Sequence, residues 1–252
     1  MSLEDSSDFG PSELGTREYW DNAYDREVTN FNDHGDIGEV WFGEESVEKM
    51  VEWLETHRPN QATSPTILDL GCGNGHLLLE LADRDYTQLH GLDYSERAVA
   101  LARTIATTQL GQLSPIQYHQ VDMLQRADLD RAAAGTTNST GLADVVLDKG
   151  TFDAISLGEP LPVSVSAAAE VELRDPKQLY VEAVLRLLKD DGVLLITSCN
   201  WTQAELQRHF SDHLVYHDHV PYRAFTFGGV QGQKICTVAF TKHPSKPTHT
   251  QK

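Results

Sequence analysis

The sequence has few cysteines and no long apolar run. Its three cysteines, Cys72, Cys199 and Cys236, are an odd number at long spacings, so neither a disulfide framework nor a Cys-x-x-Cys metal site can be drawn. That pattern favours a reducing compartment. No uncharged apolar run approaches the roughly 18–20 residues of a bilayer span, and the first residues lack both regions of a secretion signal. We therefore expect a cytoplasmic protein that does not enter a membrane.

Basic residues are also scarce, since 20 Lys and Arg stand against 38 Asp and Glu and the net charge is −18. Such a charge repels a phosphate backbone, which argues against direct nucleic-acid binding. It would instead attract a basic protein partner, although a surface kept soluble by carboxylates explains the same composition. We expect a monomeric chain with a protein partner.

Apolar patterning alternates between strands and helices in units of about thirty residues. Short apolar runs that are typical of strands cover 66–70, 89–93, 116–122, 143–147, 193–197, 214–220 and 235–240. No helical pattern separates the last two, which suggests an antiparallel pair at the sheet edge. The sequence thus predicts an α/β fold: a doubly wound, Rossmann-like seven-stranded sheet, mostly parallel with an antiparallel edge strand, and helices on both faces.

Capping residues mark the predicted starts of several helices, at Ser46, Ser95, Asp175 and Thr202. Asp175 is followed by a proline in the first helical position, and Thr202 opens the capping box Thr-Gln-Ala-Glu. Gly192 is expected to end the helix that follows Asp175.

One domain over 15–241 is predicted between two tails. Residues 1–14 are acidic and poor in apolar side chains, which predicts a disordered tail, and 242–252 have the composition of a polar C-terminal tail. Within the domain, 135–141 is expected to be a flexible loop. The long connection 158–174 is a candidate substrate lid.

Three glycines alternate with other residues between the first strand and a helix, in the run LDLGCGNG (68–75). Such a turn brings a ligand against bare backbone at a helix start. A nicotinamide dinucleotide fold would want glycine or alanine at position 76, which is His76 here. The run resembles instead motif I of the class I, seven-stranded S-adenosylmethionine methyltransferases. The resemblance implies that S-adenosyl-L-methionine is held by Asp69, Gly71, Gly73, Asn74 and Gly75.

Two acids follow the next two strands. Asp93 ends the second strand, where its carboxylate can accept hydrogen bonds from both ribose hydroxyls and Tyr94 can flank the adenine. The resemblance assigns Asp122 to the adenine amino group and Met123 to the ring edge. Because the carboxyl ends of neighbouring parallel strands share one crevice, these residues and the glycine turn predict one pocket. A helix-capping role is the alternative for Asp93.

Further segments narrow the resemblance. They are GTREYWD (15–21), GEVWFGEE (38–45), LDKGTFDAI (147–155), TSCNWT (197–202) and FTFGG (225–229). These look like the protein-lysine methyltransferases that modify translation elongation factor 1-alpha. The resemblance implies an S-adenosylmethionine-dependent protein-lysine N-methyltransferase with that factor as its substrate. The loop 135–141 and the connection 158–174 depart from the family, so the lid is the part that the resemblance supports least.

Methyl transfer to a lysine requires a neutral amine. A free lysine has a pKa near 10.4, so deprotonation at neutral pH costs about 4 kcal/mol. An acid and aromatic faces can orient the amine while partial desolvation lowers its pKa. We interpret Asp148, at the end of the fourth strand beside the cofactor, as that acid, with Phe152, Asn200 and Trp201 as catalytic walls. A turn cap for Asp148 and a core position for Trp201 are the alternatives.

Two aromatic residues and a group of histidines have competing interpretations. Trp41 and Phe42 lie between two glycines and form either a flap over the methionine end of the cofactor or a hydrophobic staple for the next helix. We favour the flap. His213, His217 and His219 surround a predicted edge strand without an accompanying acid motif, so no metal site is predicted.

Two other functions fit parts of the pattern. One is methylation of another protein, a small molecule or a nucleic acid, although no Asn-Pro-Pro-Tyr or Asp-Pro-Pro-Tyr run follows the fourth strand. The other is a non-catalytic binding scaffold with the methyltransferase fold. The intact glycines and acids argue against a scaffold, because partner binding does not require them.

Overall fold

A computed structural model describes residues 10–58, 63–135, 142–164, 171–223, 225–227, 230–232 and 235–243. Its helices are α1 Arg17–His34, α2 Glu44–His57, α3 His76–Ala82, α4 Glu96–Leu110, α5 Arg126–Gly135, α6 Thr151–Ser156, α7 Pro176–Leu187 and α8 Gln203–Phe210, after a 3-10 turn at Glu13–Gly15. Its strands are β1 Ile67–Leu70, β2 Leu89–Asp93, β3 Ile116–Gln120, β4 Ala143–Lys149, β5 Leu161–Ser164, β6 Val171–Arg174, β7 Leu188–Ser198, β8 Leu214–Val220, β9 Phe225–Phe227, β10 Val230–Gly232 and β11 Cys236–Lys242.

The main sheet has seven strands in the order β3-β2-β1-β4-β7-β11-β8. The pairs among β3, β2, β1, β4 and β7 are parallel, whereas β11 runs antiparallel to both β7 and β8. The predicted fold class is confirmed. One detail differs, because the antiparallel strand β11 lies beside the edge and β8 forms the edge itself.

The side chains of the central strands alternate between two hydrophobic cores, one on each face of the sheet. In β4, Val145 and Leu147 join the core that contains α2, α3 and α4, whereas Val146 joins the core that contains α5, α7 and α8. This alternation decides where the polar residues at the ends of the strands point.

The helix starts agree with the capping signals in three cases. Thr202 forms the reciprocal capping box, Asp175 accepts a hydrogen bond at the start of α7, and Ser95 occupies the N-cap position of α4. The prediction for Ser46 is wrong, because α2 already begins at Glu44 and Ser46 is buried within its first turn. The prediction for Gly192 is also wrong, because α7 ends at Leu187 and β7 begins at once.

The predicted segments outside the regular pattern are only partly described. Residues 1–9, 136–141, 165–170 and 244–252 lie outside the described residues, and with them most of both tails and of the loop 135–141. The described ends of the connection 158–174 contain the strands β5 and β6, which pair antiparallel. In the described part of the chain, no helix is both long and apolar enough to cross a bilayer.

Candidate active site

The glycine turn after β1 requires its glycines for two different reasons. Gly71 and Gly73 both have positive φ values, 62° and 54°, which residues with a side chain rarely adopt. There is also no space for a side chain at these two positions. A Cβ atom on Gly73 would lie 2.8 Å from the Tyr24 hydroxyl oxygen, and one on Gly71 would clash with the Thr151 side chain. The turn therefore exposes bare backbone beside α1 and α6.

A cavity of about 1250 Å³ lies at the carboxyl ends of β1, β2, β3 and β4. The predicted cofactor residues that line it are Trp41, Gly71, Gly73, Asn74, Asp93, Tyr94, Asp122 and Met123. The predicted residues that do not line it are Asp69, Gly75, Asp148, Phe152, Asn200 and Trp201. The structure thus brings most of the predicted cofactor residues together and keeps the four predicted catalytic residues apart from them.

Asp93 is the acid best placed for a ribose. It is 4% exposed and lies at the end of β2, where its carboxylate accepts hydrogen bonds from the backbone amides of Gly73 and Ser95 at 3.1 and 2.9 Å. Burial raises the pKa of the Asp93 carboxyl to about 6, although these two amides stabilise the ionised form. The carboxylate thus fixes the glycine turn and still lines the cavity.

One residue that lines the cavity was not identified by the sequence analysis. Arg17, in the first turn of α1, pairs with the Asp122 carboxylate at 2.6 Å. Its guanidinium also lies 4.4 Å from the centre of the Tyr94 ring. One side chain therefore connects α1 to the ends of β2 and β3, where adenine is expected.

Helix α1 forms a wall of the cavity through its aromatic residues. Tyr19, Trp20 and Tyr24 all line the cavity, and the Trp20 ring lies 5.1 Å from that of Trp41. The spacing of these residues fits a helix, but it does not indicate the surface against which the helix packs. Ser95 holds the helix in place, because its hydroxyl donates to the Asp21 carboxylate at 2.6 Å.

A buried group of charges lies beneath the cavity. Burial raises the pKa of the Asp69 carboxyl to about 7 and lowers the pKa of the Lys149 ammonium. Of these two residues, Lys149 lines the cavity. Lys149 Nζ donates to the Trp41 carbonyl at 3.1 Å and so ties the segment between α1 and α2 to β4. Asp69 itself lies beneath the glycine turn and not on the cavity surface.

The structure places Asp148 away from the cavity, so its expected role beside the substrate stays a prediction. Because side chains alternate along β4, Asp148 points to the same face as Val146, towards α6 and α7. The side chain is fully buried, and its carboxylate accepts hydrogen bonds from the Thr151 and Phe152 amides and the Tyr180 hydroxyl at 2.9, 3.0 and 2.7 Å. These contacts with the first amides of α6 favour the alternative interpretation of Asp148 as a cap.

The three predicted wall residues also lie away from the cavity. Phe152 is fully buried and packs against Trp201, which is 9% exposed, with ring centres 5.7 Å apart. Asn200 lies in the turn after β7, where its backbone amide and that of Cys199 donate to the Asp153 carboxylate. This geometry is that of a core and a fixed turn, and a catalytic role for these residues stays a prediction.

The residues around the cavity fit S-adenosylmethionine. The glycine turn offers backbone that a Cβ would cover, Asp93 offers a carboxylate to hydroxyl groups, and the Tyr94 hydroxyl is buried without a hydrogen-bond partner among the described residues. Ligand cavities are usually roughly 300–1,000 Å³. This cavity is larger, so it leaves room for a second group beside a cofactor.

Known proteins resemble this chain over most of its length. Residues 63–242 match the family described as the methyltransferase domain. The chain is 40% identical over 248 residues to the protein-lysine N-methyltransferase efm4 of Schizosaccharomyces pombe, with 93% of this chain and 96% of that protein covered. It is 37% identical over 235 residues to EEF1A lysine methyltransferase 2 of Homo sapiens, with 93% and 89% covered.

Solved structures share the fold at low sequence identity. A SAM-dependent methyltransferase of Anabaena variabilis has a TM-score of 0.61 at 14% identity and covers 94% of this chain and 99% of that one. Magnesium protoporphyrin IX methyltransferase of Synechocystis, solved with bound SAM, has a TM-score of 0.53 at 15% identity, with 88% and 97% covered. The chain therefore belongs to the methyltransferase-domain family and, within it, to the family of these protein-lysine methyltransferases, so it is an enzyme whose cofactor is S-adenosylmethionine.

Proposed function

We propose that this enzyme transfers methyl groups from S-adenosylmethionine to a lysine ε-amine of translation elongation factor 1-alpha. The observation that carries the proposal is the match to relatives named EEF1A lysine methyltransferase 2, at 37% identity over 93% of this chain. The cavity supports the proposal, because it combines the residues expected at a cofactor with room for an acceptor side chain.

Each group around the cavity has a proposed task in cofactor binding. Asp93 accepts the hydrogen bonds of the ribose hydroxyls, Asp122 and Met123 contact the adenine edge, and Tyr94 flanks the ring. The glycine turn receives the amino-acid part against its backbone. The bound cofactor supplies an electrophilic methyl group.

The acceptor lysine must lose its proton before it reacts, and the aromatic wall of the cavity suits that step. Trp20 and Trp41 line the cavity with rings 5.1 Å apart. Aromatic faces attract an incoming ammonium by cation–π contacts, and an apolar surrounding lowers the pKa of the amine once water is displaced. These two tryptophans are therefore the proposed walls for the lysine, in place of Phe152 and Trp201.

The remaining expectations follow from the same proposal. An enzyme that modifies this translation factor works in the cytoplasm, and its charge of −18 disfavours nucleic acid as a direct partner. We expect the enzyme to act as a monomer that meets its protein substrate in solution.

Labelled cofactor tests the proposal directly. Purified enzyme is incubated with tritiated S-adenosylmethionine and recombinant elongation factor 1-alpha that has been produced without the endogenous methyltransferase. Label on a lysine of the factor is the expected result, and an Asp93→Ala variant serves as the control that should lose it. Label on other proteins of a whole extract but none on the factor would contradict the proposed substrate.

A further inference from the structure

Helix α1 is attached to the rest of the protein more loosely than α2 and α7. None of its 18 residues, which all lie in the described part of the chain, is buried, whereas α2 has six buried residues and α7 has seven. The second half of α1 rests on the core that contains α2, α3 and α4 through the partly buried Tyr24, Val28 and Phe31. An element with few buried contacts opens at a small cost in free energy. The position of the first half of α1 therefore depends on its polar contacts.

Two ion pairs join the first half of α1 to neighbouring elements. Arg17 pairs with Asp122, just after β3, at 2.6 Å, and Asp25 pairs with Arg97 on α4. Both partners of the first pair line the cavity, whereas Arg97 does not. A ligand in the cavity can therefore strengthen the attachment through Arg17 and leave the attachment through Arg97 as it is.

Arg17 lies where the base of the cofactor is proposed to bind. Its guanidinium is 4.4 Å from the centre of the Tyr94 ring, and its partner Asp122 is the acid proposed for the adenine amino group. Guanidinium planes stack on aromatic rings, and adenine presents such a ring. A base that binds against Tyr94 and Asp122 therefore gains a contact with Arg17, provided that α1 is in its docked position, in which both ion pairs are formed.

The same helix carries one of the two walls proposed for the acceptor lysine. Trp20 lies three residues after Arg17, on the same side of α1, and its ring is 5.1 Å from that of Trp41. Trp41 is attached to a different element, because its carbonyl accepts a hydrogen bond from Lys149 on β4. The two walls are therefore brought together by the docked position of α1.

We propose that Arg17 is a positioning residue through which the bound cofactor prepares the lysine site. This inference rests on the proposed function and deepens it. Contact between the base and Arg17 favours the docked position of α1, which holds Trp20 beside Trp41. A ligand shifts an equilibrium between two positions through the contacts that it makes in one of them alone. Because such coupling is reciprocal, the protein substrate binds more tightly to enzyme that holds the cofactor, and the cofactor more tightly to enzyme that holds the substrate.

Arg17→Gln tests the coupling, with Arg97→Gln as its matched control. Each variant removes one guanidinium that joins α1 to a neighbouring element, and both side chains are about half exposed, so both variants should fold. Hydrogen exchange of the α1 amides is measured with and without saturating S-adenosylhomocysteine. We expect the ligand to slow exchange in the first half of α1 about tenfold in the wild type and in Arg97→Gln, and hardly at all in Arg17→Gln.

A binding titration measures the same coupling from the side of the substrate. The affinity for unmethylated elongation factor 1-alpha is measured by biolayer interferometry, without ligand and with S-adenosylhomocysteine at a concentration that saturates each variant. We expect the ligand to tighten binding of the factor about fivefold in the wild type and in Arg97→Gln, and to leave it unchanged in Arg17→Gln.

The control separates coupling from simple anchoring. Loss of the ligand effect in both variants would show that Arg17 only anchors α1, as Arg97 does, and would overturn the proposal. An effect that persists in Arg17→Gln, or exchange in wild-type α1 that the ligand does not change, would overturn it as well. A wild-type enzyme that neither binds nor methylates the factor contradicts the proposed substrate, and the exchange experiment, which needs no substrate, still decides the role of Arg17.

Discussion

Asp93 carries the ionisation that should matter most for cofactor binding. Its pKa is raised to about 6 by burial and by the nearby Asp21 carboxylate, while Arg17 and the Gly73 and Ser95 amides oppose that shift. Ribose hydroxyls donate hydrogen bonds, so they prefer the ionised form. Affinity for the cofactor should therefore rise between pH 5 and pH 7, in the window that the pKa defines.

The variant Asp93→Asn measures how much the ionised Asp93 carboxylate contributes to cofactor binding. We expect it to weaken S-adenosylhomocysteine binding by about 2–4 kcal/mol at neutral pH, because charge-assisted hydrogen bonds are lost, and to flatten the pH dependence. Calorimetric titrations at several pH values measure both effects. Asp25→Asn removes a carboxylate from the exposed rim of the same cavity and serves as the control. Equal affinity in Asp93→Asn and wild type would exclude Asp93 from the site.

Buried carboxyls also set the pH dependence of stability. The pKa values of Asp69 and Asp148 are raised to about 7 in the fold, far above the usual value near 3.8. The native state thus binds more protons than the unfolded state between about pH 4 and pH 7, so the contribution of these groups to stability is lost as pH rises through that window. Urea unfolding of the free enzyme at pH 5 and pH 8 should show the higher midpoint at pH 5.

Asp148→Asn separates the two interpretations of that residue. An asparagine has one side-chain oxygen, so it cannot accept all three hydrogen bonds that the Asp148 carboxylate accepts. We therefore expect the free energy of unfolding to fall by about 1–3 kcal/mol. Single-turnover rates should stay within a few-fold of wild type. Tyr180→Phe removes one donor to the same carboxylate and should destabilise the fold in the same direction. If Asp148 orients the substrate amine, the rate instead falls roughly 10²-fold while stability is kept.

At the scale of elements, the segment between α1 and α2 depends on β4 for its position. Phe42 has an unusual φ of 65°, and its ring lies so close to Gly150 that a Cβ there would be 3.0 Å from it. Together with the hydrogen bond from Lys149 to Trp41, this contact holds the segment against the cavity. This position of the segment beside the cavity supports the interpretation of Trp41 and Phe42 as a flap.

Gly150→Ala tests the flap, with Gly35→Ala as its control. Both glycines have left-handed backbone conformations, so both variants carry similar strain, but a Cβ on Gly35 would meet no atom within 4 Å. We expect both to lose about 1–2 kcal/mol of stability and only Gly150→Ala to weaken cofactor binding as well. Equal cofactor affinity in the two variants would contradict the flap.

The elements that the sequence analysis missed share a weak local signal. Leu129 is the only large apolar residue of helix α5, and the antiparallel pair of β5 and β6 has short strands with exposed apolar residues instead of a buried face. Strands of the central sheet were found because burial on both faces forces a continuous apolar run. Elements that pack on one side, or hardly at all, leave no comparable pattern.

At the scale of the whole molecule, the net charge of −18 should govern how fast a basic protein arrives. Screening shortens the reach of the charges to about 8 Å at physiological salt, so we expect association with elongation factor 1-alpha to slow as salt rises from low to physiological levels. Stopped-flow mixing of labelled proteins measures the rate. A rate independent of salt would leave the charge as a solubility feature alone.

The sequence by itself determined the fold class and predicted most of the cofactor residues that the structure places around one cavity. Parallel strands bring their carboxyl ends to one edge whatever the details of packing, so Gly73, Asp93 and Asp122 could be placed in one pocket from the order of the strands alone. Capping boxes such as that of Thr202 are equally local. Their contacts lie within four residues, so no knowledge of the remaining chain is needed.

Only the tertiary structure decided which side chains enter the cavity. Asp148 and Lys149 are neighbours, yet the alternation of β4 turns one towards α7 and the other towards the cavity, and the sequence analysis chose the first. Arg17 reaches Asp122 across 105 residues, a contact that depends on how α1 packs over the sheet. Long-range packing of this kind arises from the shapes of whole elements, and no local pattern in the chain encodes it.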